Sequence, residues 1–314
     1  MSTETFYALT PDRLLHAVEV GGRRATGYAL SLHSLENRVY EMELEDGERV
    51  VAKFYRPGRW SEAALREEHA FLRELADAEL PAVAPLEIDG ETLRTIEVEG
   101  TAIWCAVFPK VRGRPTEEPD DERLAILGRL LARLHDVGAA RPALHRGRLD
   151  VEHYGRRPLE HALAVAPGGV RDRYRDVVLR LLDAIEPRLP AESIRVHADC
   201  HAGNLLWDGR GPLFLDFDDF TMGPPVQDVW LLVSGRDAEA TQQRDLLVEA
   251  YETMRAFDRR TLSLIEPLRA LRIIRYAGWI AARYDDPAFR RAFPDYTDDA
   301  YWQREIAALQ GVEL

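Results

Sequence analysis

Three residues in the second half of the chain stand at a spacing that suits one kind of chemistry. Asp199 lies within His197-Ala198-Asp199-Cys200-His201-Ala202-Gly203-Asn204, and twelve residues after Asn204 comes Asp216, in Leu215-Asp216-Phe217-Asp218-Asp219. Phosphoryl transfer asks for little covalent work from a protein. It needs an oriented hydroxyl and metal ions that spread the phosphate charge. A carboxylate beside the incoming hydroxyl can accept its proton, the part read for Asp199. An amide oxygen and a second carboxylate are hard ligands that suit Mg²⁺, the part read for Asn204 and Asp216.

A lysine far upstream fits the same chemistry. Lys53 closes the apolar run Val50-Val51-Ala52-Lys53, and from the roof of a cleft a lysine so placed reaches the α- and β-phosphates of ATP. Its ion-pair partner is expected on the following helix. Glu68 shares the stripe of Leu65, Leu72 and Leu75, where an unpaired carboxylate is costly. Glu67 is the rival, because the rotation of a helix is not fixed by sequence. Val107-Phe108-Pro109-Lys110 is the expected hinge, placed by architecture: adenine would bond to its backbone there, with Phe108 and Lys110 as contact residues.

The elements that must position these residues change character along the chain. Residues 25–32, 38–44 and 50–55 read as strands, the second by near alternation, with Asp46-Gly47 as a hairpin turn. Ser61 is the N-cap of a helix to about residue 76, and strands follow near 91–98 and 102–108. A short helix start is read at Pro11. Beyond Pro109 helices are expected at 119–136, with Gly138 as the stop, then at 170–185, 226–233, 239–257, 262–284 and 298–310. A strand-and-loop segment at 196–220 interrupts them, and 138–169 reads as the most irregular connection. The fold class is therefore α+β and bilobal: residues 1–108 form an antiparallel sheet with one helix, and residues 109–314 form a helical lobe bearing the catalytic and metal loops. A cleft between two such lobes is a natural ligand site.

The bulk properties narrow the partners. With 314 residues and 46% hydrophobic content the chain can build two lobes. Its 41 basic and 54 acidic residues leave a net charge of −13, which repels phosphate backbones and argues against nucleic acid. Two cysteines, Cys105 and Cys200, make no disulfide scaffold. Residues 1–10 show no leader pattern, and no run is long and apolar enough to span a membrane. The chain reads as a cytoplasmic monomer.

An Asp, an Asn five residues on and a later Asp match the catalytic and metal loops of protein kinases, with Ala198 and Asp218 departing from that pattern. The form His-x-Asp-x-His-x-Gly-Asn is that of the aminoglycoside-phosphotransferase-like branch. The likeness extends further. The segment 197–204, Asp216-Phe217-Asp218-Asp219, and Gly223 to Trp230 resemble the bacterial stress response kinase A family. So do Ser34 to Tyr40, Lys53 to Trp60 and Ile265 to Ala270. The resemblance runs over nearly the whole chain. It implies a Ser/Thr protein kinase on an aminoglycoside-phosphotransferase-like fold, with Asp199 as proton acceptor, Asn204 and Asp216 on Mg²⁺, and Ser34 near the ATP phosphates. Ser34 to Asn37 would replace a glycine-rich loop, although both are also ordinary turn residues. The resemblance further implies that Asp228 holds the backbone of the catalytic loop; a helix-dipole role is the alternative. His197 is read as a structural hydrogen bonder, Cys200 as a small buried residue, and His201 as no zinc ligand.

Two other readings share these residues. A small-molecule kinase acting on an aminoglycoside, choline or a similar hydroxyl compound needs the same base and metals, and an acidic acceptor cleft would favour it. A non-catalytic nucleotide-binding scaffold would be expected to lack one of Lys53, Asp199, Asn204 or Asp216, and all four are present.

Overall fold

The computed structural model describes residues 6, 9–19, 22–115 and 119–314; part of the stretch read for a leader lies outside them. Strands β1 (Ala25–Leu32), β2 (Arg38–Leu44), β3 (Arg49–Phe54), β4 (Arg94–Val98) and β5 (Thr101–Pro109) form one antiparallel sheet in the order β1-β2-β3-β5-β4. The β2–β3 turn needs a glycine: Gly47 has φ +83° and donates its N–H to Leu44 O at 2.9 Å. Alternation sorts β3 by face. Val50, Ala52 and Phe54 enter a core with Met42, Leu44, Ile103, Cys105 and Val107, while Val51 and Lys53 line a cleft.

The helix start read at Pro11 is present. The helix α1 (Pro11–Val18) buries Leu14, Ala17 and Val18 in the sheet's core. Helix α2 (Glu62–Asp77) starts where Ser61 Oγ accepts the N–H of Ala64 at 3.2 Å. Its stripe of Leu65, Glu68, Leu72 and Leu75 is buried. Phe71, Leu72 and Leu75 belong to the large core of the helical part, so α2 joins the two halves.

Helix α3 (Asp121–Ala139) is capped by Asp120, which accepts the N–H of Arg123 at 2.9 Å. Gly138 is not its stop. It lies inside the helix, where a Cβ would come within 2.2 Å of Arg195 O; the residue is small because a strand passes against it. The region 138–169 is also more regular than expected. It contains a π-helical turn at Glu152–Arg156 and helix α4 (Arg157–Val165). The helix is short and its buried set is only Pro158, Leu159 and Ala162 among arginines and histidines, so no apolar period stands out in the sequence.

Helix α5 (Gly168–Ile185) follows, then β6 (Ile194–Val196), the hairpin β7 (Leu205–Asp208) and β8 (Gly211–Phe214), and β9 (Thr221–Gly223), which pairs with β6. Helices α6 (Val226–Leu232), α7 (Ala238–Glu252), α8 (Ile265–Ala281), α9 (Pro287–Ala292) and α10 (Asp299–Gln310) complete the chain. The helices α7 and α8 are shorter than the sequence suggests: α7 ends at Glu252, and a 3-10 turn at Arg259–Leu264 takes the expected start of α8. Helix α9 lies outside the helices read from the sequence. Leu127, Leu131, Val178, Leu182, Leu247, Leu271, Ile274 and Trp302 pack into one core. Among the described residues no helix is long and apolar enough to cross a membrane.

Candidate active site

A cavity of about 640 Å³ separates the sheet from the helices, and Ser34, Lys53, Glu68, Phe108, Lys110, Asp199, Asn204 and Asp216 all line it. Residues 163 positions apart meet there: Lys53 Nζ lies 3.0 Å from Asp216 Oδ1. It is also 3.4 Å from Asp218 and 3.9 Å from Glu68. Burial alone would lower the pKa of the Lys53 ammonium, but the charges of Asp216, Asp218 and Glu68 hold it well above the ordinary lysine value.

The rotation of α2, which the sequence left open, separates the two candidate glutamates, Glu67 and Glu68. Glu68 is buried towards Lys53, and its closest partner is Arg146 Nη2 at 2.5 Å. Glu67, half-buried, accepts the backbone N–H groups of Leu144, His145 and Arg146 at 2.6, 2.9 and 3.0 Å. Together they fix Arg146, whose guanidinium also donates to Ala64 O at 3.1 Å and Asp218 O at 2.8 Å. Sequence reasoning missed Arg146, which sits in a stretch that reads as irregular loop.

The segment carrying Asp199 is held by its backbone. Ala198 has φ +67°, a left-handed conformation unfavourable for a residue with a Cβ. It persists because both its peptide groups are clamped. Asp228 Oδ1 accepts the N–H of Ala198 and Oδ2 that of His197, each at 2.8 Å. Gln227 Nε2 donates to Ala198 O at 3.0 Å. Behind them His135 Nε2 donates to Asp228 Oδ2 at 3.1 Å, and its Nδ1 lies 3.0 Å from the Tyr251 hydroxyl. His197 Nε2 donates to Leu215 O at 2.8 Å. His135 and Tyr251 carry no sequence signal beyond polar types on buried helix faces.

Asn204 Nδ2 donates to Asp199 O at 2.9 Å and to Asp199 Oδ2 at 3.2 Å, and Leu215 N donates to Asn204 O at 2.9 Å. The amide oxygen of Asn204 has no protein donor among the described residues. Asp216, with φ +57°, is half exposed and gives one oxygen to Lys53, leaving the other open. Asp199 Oδ1 accepts from Arg272 Nη1 at 2.7 Å, and His201 Nε2 lies 3.4 Å from Oδ2. Burial would raise the Asp199 pKa; the His201 hydrogen bond and the Arg272 charge outweigh it and hold the group below the usual carboxylate range. Cys200 is buried.

The remaining candidates are less direct. Ser34 Oγ accepts the N–H of Asn37 at 3.3 Å. That turn is fastened to the loop below, since Asn37 Nδ2 donates to Asp218 Oδ2 at 3.1 Å. Lys110 does not offer the free backbone donor a hinge needs: its N–H goes to Arg49 O at 3.1 Å and its ammonium to Glu41 at 2.7 Å. The strand simply continues to Pro109, so the pairing uses that group. Phe108 flanks the cavity beside Leu72 and Leu206.

A sheet roof, a helical floor and a convergent lysine, aspartates and asparagine are the parts of a kinase-like phosphotransferase. Residues 31–265 match the phosphotransferase enzyme family, and the chain belongs to that family as an enzymatic phosphotransferase. It is 40% identical over 310 residues to stress response kinase A of Salmonella paratyphi A, covering 97% of this chain and 93% of that protein. Stress response kinase A of Escherichia coli K12 is 38% identical over 313 residues, covering 98% and 94%. Serine/threonine protein kinase RdoA of Salmonella typhimurium is 40% identical over 310 residues, covering 97% and 93%. Among solved structures, an amicoumacin kinase in complex with AMP-PNP, Ca²⁺ and Ami shares the fold. Its TM-score is 0.80 at 19% identity, over 99% of this chain and 96% of that one.

Proposed function

We propose that the protein transfers the γ-phosphoryl group of ATP to a Ser or Thr hydroxyl of a protein, with Asp199 as the base. The observation that carries this reading is the convergence of Lys53, Asp199, Asn204 and Asp216 on one cavity from three separate segments. The acceptor oxygen attacks the γ-phosphorus, the bond from that phosphorus to the β-γ bridging oxygen breaks, and ADP leaves. Asp199 takes the hydroxyl proton. Lys53, released from Asp216, holds the α- and β-phosphates under the sheet, and Ser34 lies on the turn above them. The open oxygens of Asn204 and Asp216 suit Mg²⁺, which takes few protein ligands beside phosphate and water; bound there, it neutralises charge on the transferring group. Phe108 packs beside the base of the nucleotide. The name of the Salmonella typhimurium relative supports a protein acceptor, and the two buried thiols with an ATP requirement support a cytoplasmic site of action. Residues 1–108 and 109–314 would act as the two lobes.

The test pairs two substitutions. Asp199→Asn keeps size but cannot take the proton, so Mg–ATP binding measured by calorimetry should persist while transfer nearly stops. Asp216→Asn removes a charge from the metal, so nucleotide affinity should fall with transfer. Equal loss of nucleotide in both would assign Asp199 to the metal or to the fold. Transfer is measured on generic protein substrates beside a panel of small alcohols, and phosphate appearing only on the alcohols would replace the protein acceptor.

A further inference from the structure

The helix α8 turns Arg272, Arg275, Tyr276 and Trp279 into the cleft, an i, i+3, i+4, i+7 stripe. Its two arginines end on carboxylates of the floor: Arg272 on Asp199 at 2.7 Å and Arg275 on Asp219 at 2.6 Å. The exposed ring of Tyr276 stacks on Trp279 with centroids 5.5 Å apart. Arg272 borders the space beside Asp199, and Trp279 reaches Glu36 on the turn between β1 and β2.

Charge bookkeeping around the cavity is one-sided. Every carboxylate that lines it is held by a cation. Glu36 meets Arg283, Glu68 meets Arg146, Asp216 meets Lys53, and Asp218 meets Arg59. Asp219 meets Arg59 and Arg275, and Asp199 meets Arg272. Beside α8, the carboxylates Asp199 and Asp219 are thus already paired with arginines. The arginines differ in freedom. Arg59 binds two aspartates and its side chain is 10% exposed, whereas Arg272 makes its one ion pair with a side chain 41% exposed. That pair occupies Asp199 Oδ1, while Oδ2 already accepts from Asn204. Each carboxylate oxygen has two lone pairs, so a hydroxyl can reach Asp199 with Arg272 still in place. Arg272 gives only Nη1 to Asp199 among the described residues, and its remaining N–H groups suit an anion brought in beside that hydroxyl.

On the phosphotransferase reading above, we infer that the acceptor carries a carboxylate or phosphate next to its hydroxyl, and that Arg272 receives that group through the N–H groups it does not spend on Asp199. Arg275 adds a second positive charge behind it. On a protein the anion is an Asp, Glu or phosphorylated residue flanking the Ser or Thr; on a small molecule it belongs to a hydroxy acid or a phosphorylated alcohol.

Matched acceptors differing only in charge test this. One arm compares peptides with Ser flanked by Glu or by Gln; the other compares hydroxy acids with their amides. The wild type should prefer the anionic member in at least one arm by about tenfold in kcat/KM for phosphate transfer. Arg272→Gln should bring that ratio near one, and Arg272→Lys should restore part of it; because Arg272 also touches Asp199, the ratio rather than either rate is the readout. A wild-type preference for neutral or cationic members, an unchanged ratio in Arg272→Gln, or equal loss on both members overturns the inference. So does transfer to no anionic member. Only loss of ATP turnover as well as of transfer, in the wild type, counts against the kinase reading itself.

Discussion

Asp228 touches neither the nucleotide side nor the acceptor side of the cleft, yet its replacement should disable the enzyme. Its side chain is fully buried and accepts from His197 N, Ala198 N and His135 Nε2 at 2.8, 2.8 and 3.1 Å. In Asp228→Asn one oxygen remains an acceptor and the other becomes a donor facing a donor. A lost hydrogen bond to a charged group and a buried N–H left unpaired together come to about 2–4 kcal/mol. At about 2 °C per kcal/mol for a chain of this size, the thermal midpoint should fall by about 4–8 °C. If Asp228 only complemented the dipole of α6, the effect would stay near 0.3–1 kcal/mol, or about 2 °C at most. The magnitude therefore separates the two roles. The left-handed Ala198 should relax once its clamp is gone, moving Asp199. A displacement on the order of 1 Å costs about a hundredfold in rate, so kcat should fall that far with little change in KM for ATP, because Lys53 and Asp216 stay in place. Thermal unfolding and steady-state transfer assays on the one variant give both numbers. A midpoint within 2 °C of wild type together with full turnover would refute the clamp.

Two further outcomes follow from buried charge. Arg146→Met should strand Glu68 and free Asp218 O, at a cost of about 3–5 kcal/mol read by urea unfolding; the double variant with Glu68→Gln should recover much of it, and no recovery would mean that packing over Trp60 and Phe220 carries the effect. Glu305 on α10 is pushed up from 4.5 to about 7 by burial, only partly offset by Arg304. A carboxyl raised on folding contributes stability that is present below pH 4.5 and lost as pH climbs through 7. Glu305→Gln should therefore leave the midpoint unchanged at pH 4 and raise stability at pH 8 by about 1–2 kcal/mol, discounted for its partial exposure; equal shifts at both pH values would exclude titration as the cause.

Much of the fold was legible because local chemistry and periodicity agreed. The bounds of β1 and β2, the Asp46-Gly47 turn and the Ser61 cap all rest on contacts a few residues apart. Where a residue answers to a distant partner, the reading slipped. Gly138 looks like a helix stop, but it is small because Arg195 O passes 2.2 Å from where its Cβ would lie. Helices α4 and α9 are too short to print a period.

The sequence by itself determined the chemistry on offer: the types and spacing of Lys53, Asp199, Asn204 and Asp216, the alternation that turns Lys53 away from the sheet's core, and the stripe that forces Glu68 to find a cation. Tertiary structure alone decided the partners. Glu68 took Arg146 rather than Lys53 as its nearest neighbour, Glu67 became a clamp on a loop 77 residues away, and Arg272 came to rest on Asp199 from a helix 73 positions downstream. The reason is physical. Backbone periodicity is set within a few residues, whereas a buried charge is satisfied by whichever opposite charge the packing of distant elements brings within hydrogen-bond range.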